Sequence, residues 1–335
     1  MRSSSSAEPI RLSRRNFVAA AALAPANAVF SFRGAVAATP PVRFTDVVKG
    51  SAGALWRPLI ESGFVTLPPG LAFDWIGGSP GQVQLQLTAG AVNMSVFGAI
   101  GVAELAPRGF DILIFGPALN NHGRWIVRGD SPYRTPHDLI GKKIATQLEA
   151  SDTYRHARLA ALLHGIDIKK DVEIVFGPST ANVALFSRGD VDAVIAIEPT
   201  ATRLVAGGAR EIARVDDMWR EATGDTAPLF LVGLAAHRDW ITQNTALCAE
   251  IAELFADLHR RLRANPRVIG EQAKAFGIPA GERAAIELLP QRLVDIYSVD
   301  WNGAVFANME HQIDAAVKAG IIPARPSRPV YVDLQ

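Results

Sequence analysis

Two similar α/β lobes around a hinged cleft are the fold class this sequence predicts, on three observations. Strand-like and helix-like stretches alternate through the middle of the chain, the alternation occurs twice at a fixed offset, and a run of helices follows the second copy. Alternating strands and helices imply right-handed crossovers and short, mostly parallel sheets. The length of 335 residues suits about two domains.

The chain opens on what reads as an export leader. Ser13-Arg14-Arg15-Asn16-Phe17-Val18 precedes an alanine-rich apolar stretch to Phe32, then Arg33 and the small residues Ala35-Val36-Ala37-Ala38. Charged, apolar and small-residue segments in that order are those of a cleavable signal peptide over residues 1–38. Pro25 and Asn27 interrupt the apolar part, which is short of the roughly 20 residues a spanning helix needs, so no anchor is expected. The adjacent arginines before Phe17 resemble the twin-arginine address of proteins exported in the folded state. A soluble mature protein in a periplasm follows as the expectation.

In the mature chain Phe44 to Val48 reads as a strand, and the loop Lys49-Gly50-Ser51 leads into a helix from Ala52 to Ser62 that stops at Gly63. A strand (Leu71 to Ile76), a Gly77-Gly78-Ser79-Pro80-Gly81 turn, a helix (Gln82 to Thr88) and a strand (Val92 to Phe97) complete the unit. The order then recurs. Strand Lys143 to Thr146, helix Thr153 to His164, strand Val172 to Phe176, helix Ala181 to Phe186 and strand Val191 to Ile197 follow, and an offset of 99 residues carries Gly78 onto Gly177, Gly90 onto Gly189 and Val92 onto Val191. A further strand, Leu229 to Leu234, precedes helices over 239–264, 267–275, 280–289 and 304–319. Such a helical tail needs a surface to cover, so the chain is expected to return to its first lobe. That divides it into residues 39–124 plus 232–335 for lobe 1 and 125–231 for lobe 2, with crossovers near 122–130 and 225–235.

Apolar residues make up 49% and charged residues 20%, the composition of a globular chain. The first 38 residues hold five basic side chains and one acidic, a balance of +4, which leaves −3 for the rest of a chain of formal charge +1. A near-neutral body lacks the clustered Lys and Arg that hold a polyphosphate, so no nucleic-acid partner is expected. The single Cys248 permits no internal disulfide and no multi-cysteine zinc site. None of the seven histidines lies three or four residues from another, so no metal motif is visible, and no cofactor motif is either. Gly78-Ser79-Pro80-Gly81 lacks the spacing of a nucleophile elbow.

Three phrases carry a family resemblance: Asp138-Leu139-Ile140-Gly141-Lys142-Lys143-Ile144-Ala145, Leu185-Phe186-Ser187-Arg188-Gly189-Asp190-Val191-Asp192-Ala193, and Ile197-Glu198-Pro199. In this order, behind an export leader, they resemble the nitrate, sulfonate and taurine family of substrate-binding proteins of ABC importers. The resemblance runs from Arg43 to near Ala324. It implies the periplasmic-binding-protein-like fold of the second type, a small ligand held between the lobes, and a permease and an ATPase as partners of a monomeric, non-enzymatic protein. The rivals are an enzyme on the same fold, of the thiamine pyrimidine synthase kind, and a periplasmic ligand sensor. The pyrimidine synthases carry a cysteine-rich motif that Cys248 alone cannot supply. One departure stands out: a loop usually rich in Gly, Ser and Thr reads Leu148-Glu149-Ala150-Ser151-Asp152-Thr153, and its two acids argue against a simple inorganic anion.

In open α/β sheets ligands bind beyond the carboxyl ends of strands, at loops entering helices, which selects the candidate ligand-binding residues. Lys49, Gly50 and Ser51 offer an ammonium, backbone donors and a hydroxyl before a helix, or simply a cap. Ser151, Asp152 and Thr153 stand likewise before the second lobe's first helix. Ser95, Phe97 and Gly98 end the third strand, and Glu198 ends its counterpart. Trp56 would add a wall. Lys49 on one side and Glu198 with Asp152 on the other would suit a bipolar molecule such as an aminosulfonate.

Overall fold

The structure, a computed structural model, describes residues 41–334; the expected leader and its cleavage site lie outside the described residues. In chain order the elements are β1 (Val42–Val47), α1 (Trp56–Glu61, after a 3-10 turn Ala52–Leu55), β2 (Phe73–Gly78), α2 (Gln82–Thr88), β3 (Met94–Phe97), α3 (Ala99–Leu105) and β4 (Ile112–Asn120). There follow β5 (Gly123–Val127), β6 (Lys143–Thr146), α4 (Asp152–Leu163), β7 (Glu173–Phe176), α5 (Ser179–Arg188), β8 (Ala193–Ile197), α6 (Thr200–Ala206), β9 (Arg210–Arg214) and α7 (Val215–Thr223). The chain closes with β10 (Phe230–His237), α8 (Arg238–Gln243), α9 (Thr245–Ala264), α10 (Arg267–Glu271), α11 (Arg283–Leu293) and α12 (Gly303–Lys318).

The strands form two five-stranded sheets, ordered β2-β1-β3-β10-β4 and β7-β6-β8-β5-β9. In each, three strands run parallel and the next crosses them antiparallel: β10 against β3 and β4 in the first, β5 against β8 and β9 in the second. The duplication read from the sequence is thus a duplication of sheets, and the two-lobed α/β class holds. The chain leaves the first sheet after Asn120, enters the second at Gly123, and returns to the first at Phe230.

Six elements fall outside the sequence reading: α3, β4, β5, α6, β9 and α7. β4 carries Gly116 and Pro117, which read as a break; it is an edge strand, where a residue without an N–H is tolerated. β9, Arg-Glu-Ile-Ala-Arg, is the edge of its own sheet and therefore polar.

Alternation along the strands distributes side chains between cores. Leu113 and Phe115 of β4 join Phe44, Trp56, Phe255 and Leu289 in a core under α9 and α11, while Ile112 and Ile114 face the other way. That other core is shared by both lobes. It joins Ile114 and Phe230 of the first sheet to Trp125 and Ile195 of the second, with Tyr154 of α4 and Met309 of α12.

α4 is buried along most of its length although it reads Asp-Thr-Tyr-Arg-His, because its polar groups meet partners on the first lobe. Arg155 Nε donates to Glu104 Oε2 at 2.8 Å, and His156 Nε2 lies 2.9 Å from Gln312 Oε1. Among the described residues no helix is long and apolar enough to cross a membrane.

Candidate functional site

Both lobes contribute to one cavity beyond the carboxyl ends of β1, β3 and β8. Lobe 1 supplies Val47, Ser51 and Trp56, then Pro80, Val83 and Gln84 around the start of α2. Val96, Leu119 and the β10 residues Leu231 and Val232 form its apolar floor. Asp152, Thr153 and Ile197 come from lobe 2, and His122 from the crossover. The free volume is about 30 Å³, against roughly 300–1,000 Å³ for a ligand pocket. Residues of both lobes pack closely around it. A larger trough of about 690 Å³ runs past Asn120 and Asn121 on the hinge side, but no strand-to-helix loop of either sheet's parallel strands points into it.

Asp152 draws the lobes together. Its Oδ2 accepts the Gly98 N–H at 2.8 Å and the Gln84 carboxamide Nε2 at 3.2 Å, both from lobe 1. Glycine is required on the receiving side. A Cβ at Gly98 would lie 2.5 Å from the Leu231 carbonyl, and one at Gly101 would lie 2.5 Å from Asp152 Oδ1. Among the described residues Oδ1 has no hydrogen-bond partner; the nearest cation, Arg155 Nη1, stands 3.6 Å away. Burial pushes the carboxyl pKa up, while Arg155, His156 and the Gly98 N–H pull it back.

His122 is buried with Nδ1 2.9 Å from the Asn120 carbonyl. A carbonyl only accepts, so Nδ1 carries the proton and Nε2 is the ring's acceptor. Burial pushes the imidazole pKa down to about 4, which keeps the ring neutral at pH 7. Trp56 lines the cavity and donates its Nε1–H to His259 Nε2 at 3.1 Å.

The candidate residues scatter more than the sequence suggested. Ser51, Trp56, Asp152 and Thr153 line the cavity, and Gly98 touches it through Asp152. Ser51 is extended, bridges to Pro199 across the lobes, and does not cap the following turn. Ser151 does cap α4, accepting the Tyr154 N–H at 3.2 Å. Gly50 acts through its carbonyl, which accepts the hydroxyls of Ser179 at 3.1 Å and Thr200 at 2.9 Å and so fastens lobe 1 to lobe 2.

Four of the candidate residues do not line this cavity. Lys49 is exposed and borders an open groove beside Arg57 and Pro178, outside the cavity, because its stem lies along Gly277. Ser95 turns toward Thr45 Oγ1 at 3.2 Å and the Val83 carbonyl at 3.0 Å, inside lobe 1. Phe97 packs in the shared core against Gly101. Glu198 faces away from the cavity: Oε2 accepts from Thr202 N and Oγ1 at 2.8 and 2.5 Å, and Oε1 accepts Arg292 Nε and Nη2 at 3.0 and 2.7 Å. The opposed pair of Lys49 and Glu198 therefore does not form.

Gln84, His122, Leu119 and Leu231 were missed. Gln84 follows the Pro80-Gly81 turn by one helical turn and was visible as a polar residue in a loop-to-helix start; His122 had no such signal, since its crossover is set by sheet topology.

Residues 135–276 match the model of a family described as NMT1-like. The taurine-binding periplasmic protein of Escherichia coli (strain K12) is 25% identical over 223 residues, 64% of this chain and 67% of that protein. The ATP phosphoribosyltransferase of Solidesulfovibrio magneticus is 35% identical over 102 residues, 30% of this chain and 31% of the enzyme. The chain thus matches only about a third of the length of that relative. Among solved structures, the alkanesulfonate-binding protein of Xanthomonas axonopodis pv. citri bound to MOPS superimposes with a TM-score of 0.70 at 19% identity, covering 89% of this chain and 99% of that one. A desulfurization enzyme does so with a TM-score of 0.55 at 16% identity, covering 86% and 94%. At these identities the superpositions show the fold.

Proposed function

We propose that this chain, whose resemblance to the nitrate, sulfonate and taurine family holds in sequence and in fold, is the ligand-capturing component of an ABC importer. It takes a small organic molecule between its lobes and hands it to a membrane permease driven by an ATPase. The observation that carries the reading is the cavity built jointly by both lobes, whose closure is held by bonds that cross between them: Asp152 to Gly98 and Gln84 on one side, Ser179 and Thr200 to the Gly50 carbonyl on the other. A ligand that binds the closed arrangement better than the open one shifts the equilibrium toward it. The same closure signals occupancy to a permease.

The leader supports a periplasmic protein delivered by the twin-arginine route. An enzymatic reading finds less support. Cys248, the one thiol, is buried, with its pKa pushed up to about 12, and does not line the cavity.

A thermal-shift screen of alkylsulfonates, taurine, nitrate, pyrimidines and small amino acids tests the reading. At about 100 times its dissociation constant a true ligand adds roughly 2.7 kcal/mol to stability and raises Tm accordingly. If no small molecule raises Tm while a purified protein partner does, the chain is not a solute-binding protein.

A further inference from the structure

The trough on the hinge side encloses about 690 Å³ and shares no lining residue with the interlobe cavity. That volume falls within the roughly 300–1,000 Å³ of a ligand pocket. Both lobes and both crossovers contribute to its wall. Two of its four acids are spent on arginines of the same wall, Asp216 on Arg220 at 2.7 Å and Asp217 on Arg214 at 3.7 Å. Three lining charges are left over. Arg263, half-buried near the end of α9, and the exposed Asp295 and Asp300 form no ion pair among the described residues, with one another or with any other group. The Arg263 Nε is buried without a hydrogen-bond partner. Asn121, 6% exposed, lines the same trough; its Oδ1 accepts the Gly123 N–H at 3.0 Å, while its Nδ2 has no partner.

We propose that this trough is a second ligand site, separate from the interlobe cavity, and that it takes a small zwitterion with an apolar side chain, an α-amino acid. Unpaired charges of opposite sign held apart on one concave wall complement a molecule that carries both signs at a distance. The carboxylate of such a ligand lies against Arg263, whose planar fork donates parallel N–H bonds to a carboxylate, and against the spare Asn121 donor. Its ammonium faces Asp295 and Asp300, and its side chain rests on Pro228 and Val305. A simple acid or a simple amine of the same skeleton satisfies one side and meets a like charge on the other.

L-Leucine, isoamylamine and 4-methylpentanoate share one branched hydrocarbon and differ in charge, so they test this directly. Each is titrated into the mature protein and followed by the Asn121 carboxamide and Val305 amide resonances, which report the trough, and by the Thr153 amide, which reports the interlobe cavity. Leucine is expected to move the trough resonances and to bind about tenfold more tightly than isoamylamine, which lacks the group for Arg263. Against 4-methylpentanoate the advantage is about two- to fivefold, since a pair with exposed carboxylates is worth less. Arg263→Met keeps the stem and removes the guanidinium, so leucine's advantage over isoamylamine falls to about unity. The wild-type series stands by itself should the variant fail to fold. Trough resonances that no probe moves, equal affinities of all three, or an unchanged ratio in Arg263→Met overturn the proposal. Leucine that moves Thr153 alone overturns it too, because the amino acid then belongs to the interlobe cavity, and the solute-binding reading is left standing.

Discussion

At the scale of single residues, two imidazoles set an acid limit on stability. His122 and His259 are fully buried, and burial pushes each pKa from 6.5 down to about 4. Above pH 6.5 both rings are neutral whether the chain is folded or not. Below it the unfolded chain takes up protons that the folded one refuses until about pH 4, so stability falls as pH drops through that window, by on the order of 3 kcal/mol per ring. Asp152 has the opposite sign: its raised pKa lets the folded form take a proton first, so acid relieves part of its burial cost. Urea melts of wild type and His259→Gln at pH 7 and pH 5 check the larger effect. The variant should lose up to about 1.4 kcal/mol per pH unit of slope, the linkage of one proton; identical slopes would show that His259 is not held neutral. Sequence reading reached Asp152 and Thr153 because a loop entering a helix is a local signal. That Glu198 is bonded to Arg292 was not legible, because that partner is 94 residues away and no local pattern announces it.

At the scale of elements, α11 ties the lobes through that contact. Its Leu289 and Leu293 sit in the core of the first lobe, while Arg292 reaches across to Glu198 and Glu211, with Nη2 2.7 and 2.6 Å from their oxygens. Arg124 of β5 lies behind the same two carboxylates, at 3.9 and 3.7 Å, which is how a strand interior accommodates a buried arginine. Removing Arg292 leaves Glu198 wholly buried with less compensation. Arg292→Leu should therefore destabilise by about 3 kcal/mol in urea unfolding, and adding Glu198→Gln should recover part of that loss, since the orphaned charge goes with it. Additive losses would mean the two groups are not coupled. The elements themselves were legible where period and punctuation agree: α2, β6 and α12 emerge within a residue or so of their expected bounds, the two helices each followed by a left-handed glycine, Gly90 and Gly320. β4, β5 and β9 were not, because an internal proline, a buried arginine and an edge position each break the apolar run by which a strand is recognised.

At the scale of the whole molecule, the lobes are less separate than a clam suggests. Trp125, Tyr154, Phe230 and Met309 belong to one apolar core that both sheets share. Calorimetry should accordingly give one cooperative unfolding transition, with van't Hoff and calorimetric enthalpies in agreement; two resolved transitions would show that the shared core does not couple the lobes. The position of β10 reaches further, into synthesis. β10 lies between β3 and β4, yet Phe230 emerges from the ribosome more than a hundred residues after Asn120. At roughly 5–20 residues per second the nascent first sheet waits about 5–20 s with the edge of β3 unpaired and β4 without its strand partner. Every strand of the second sheet, by contrast, lies within residues 123–214. The lobe begun first is the lobe finished last, and the interval between is when a growing chain of this topology most needs a chaperone.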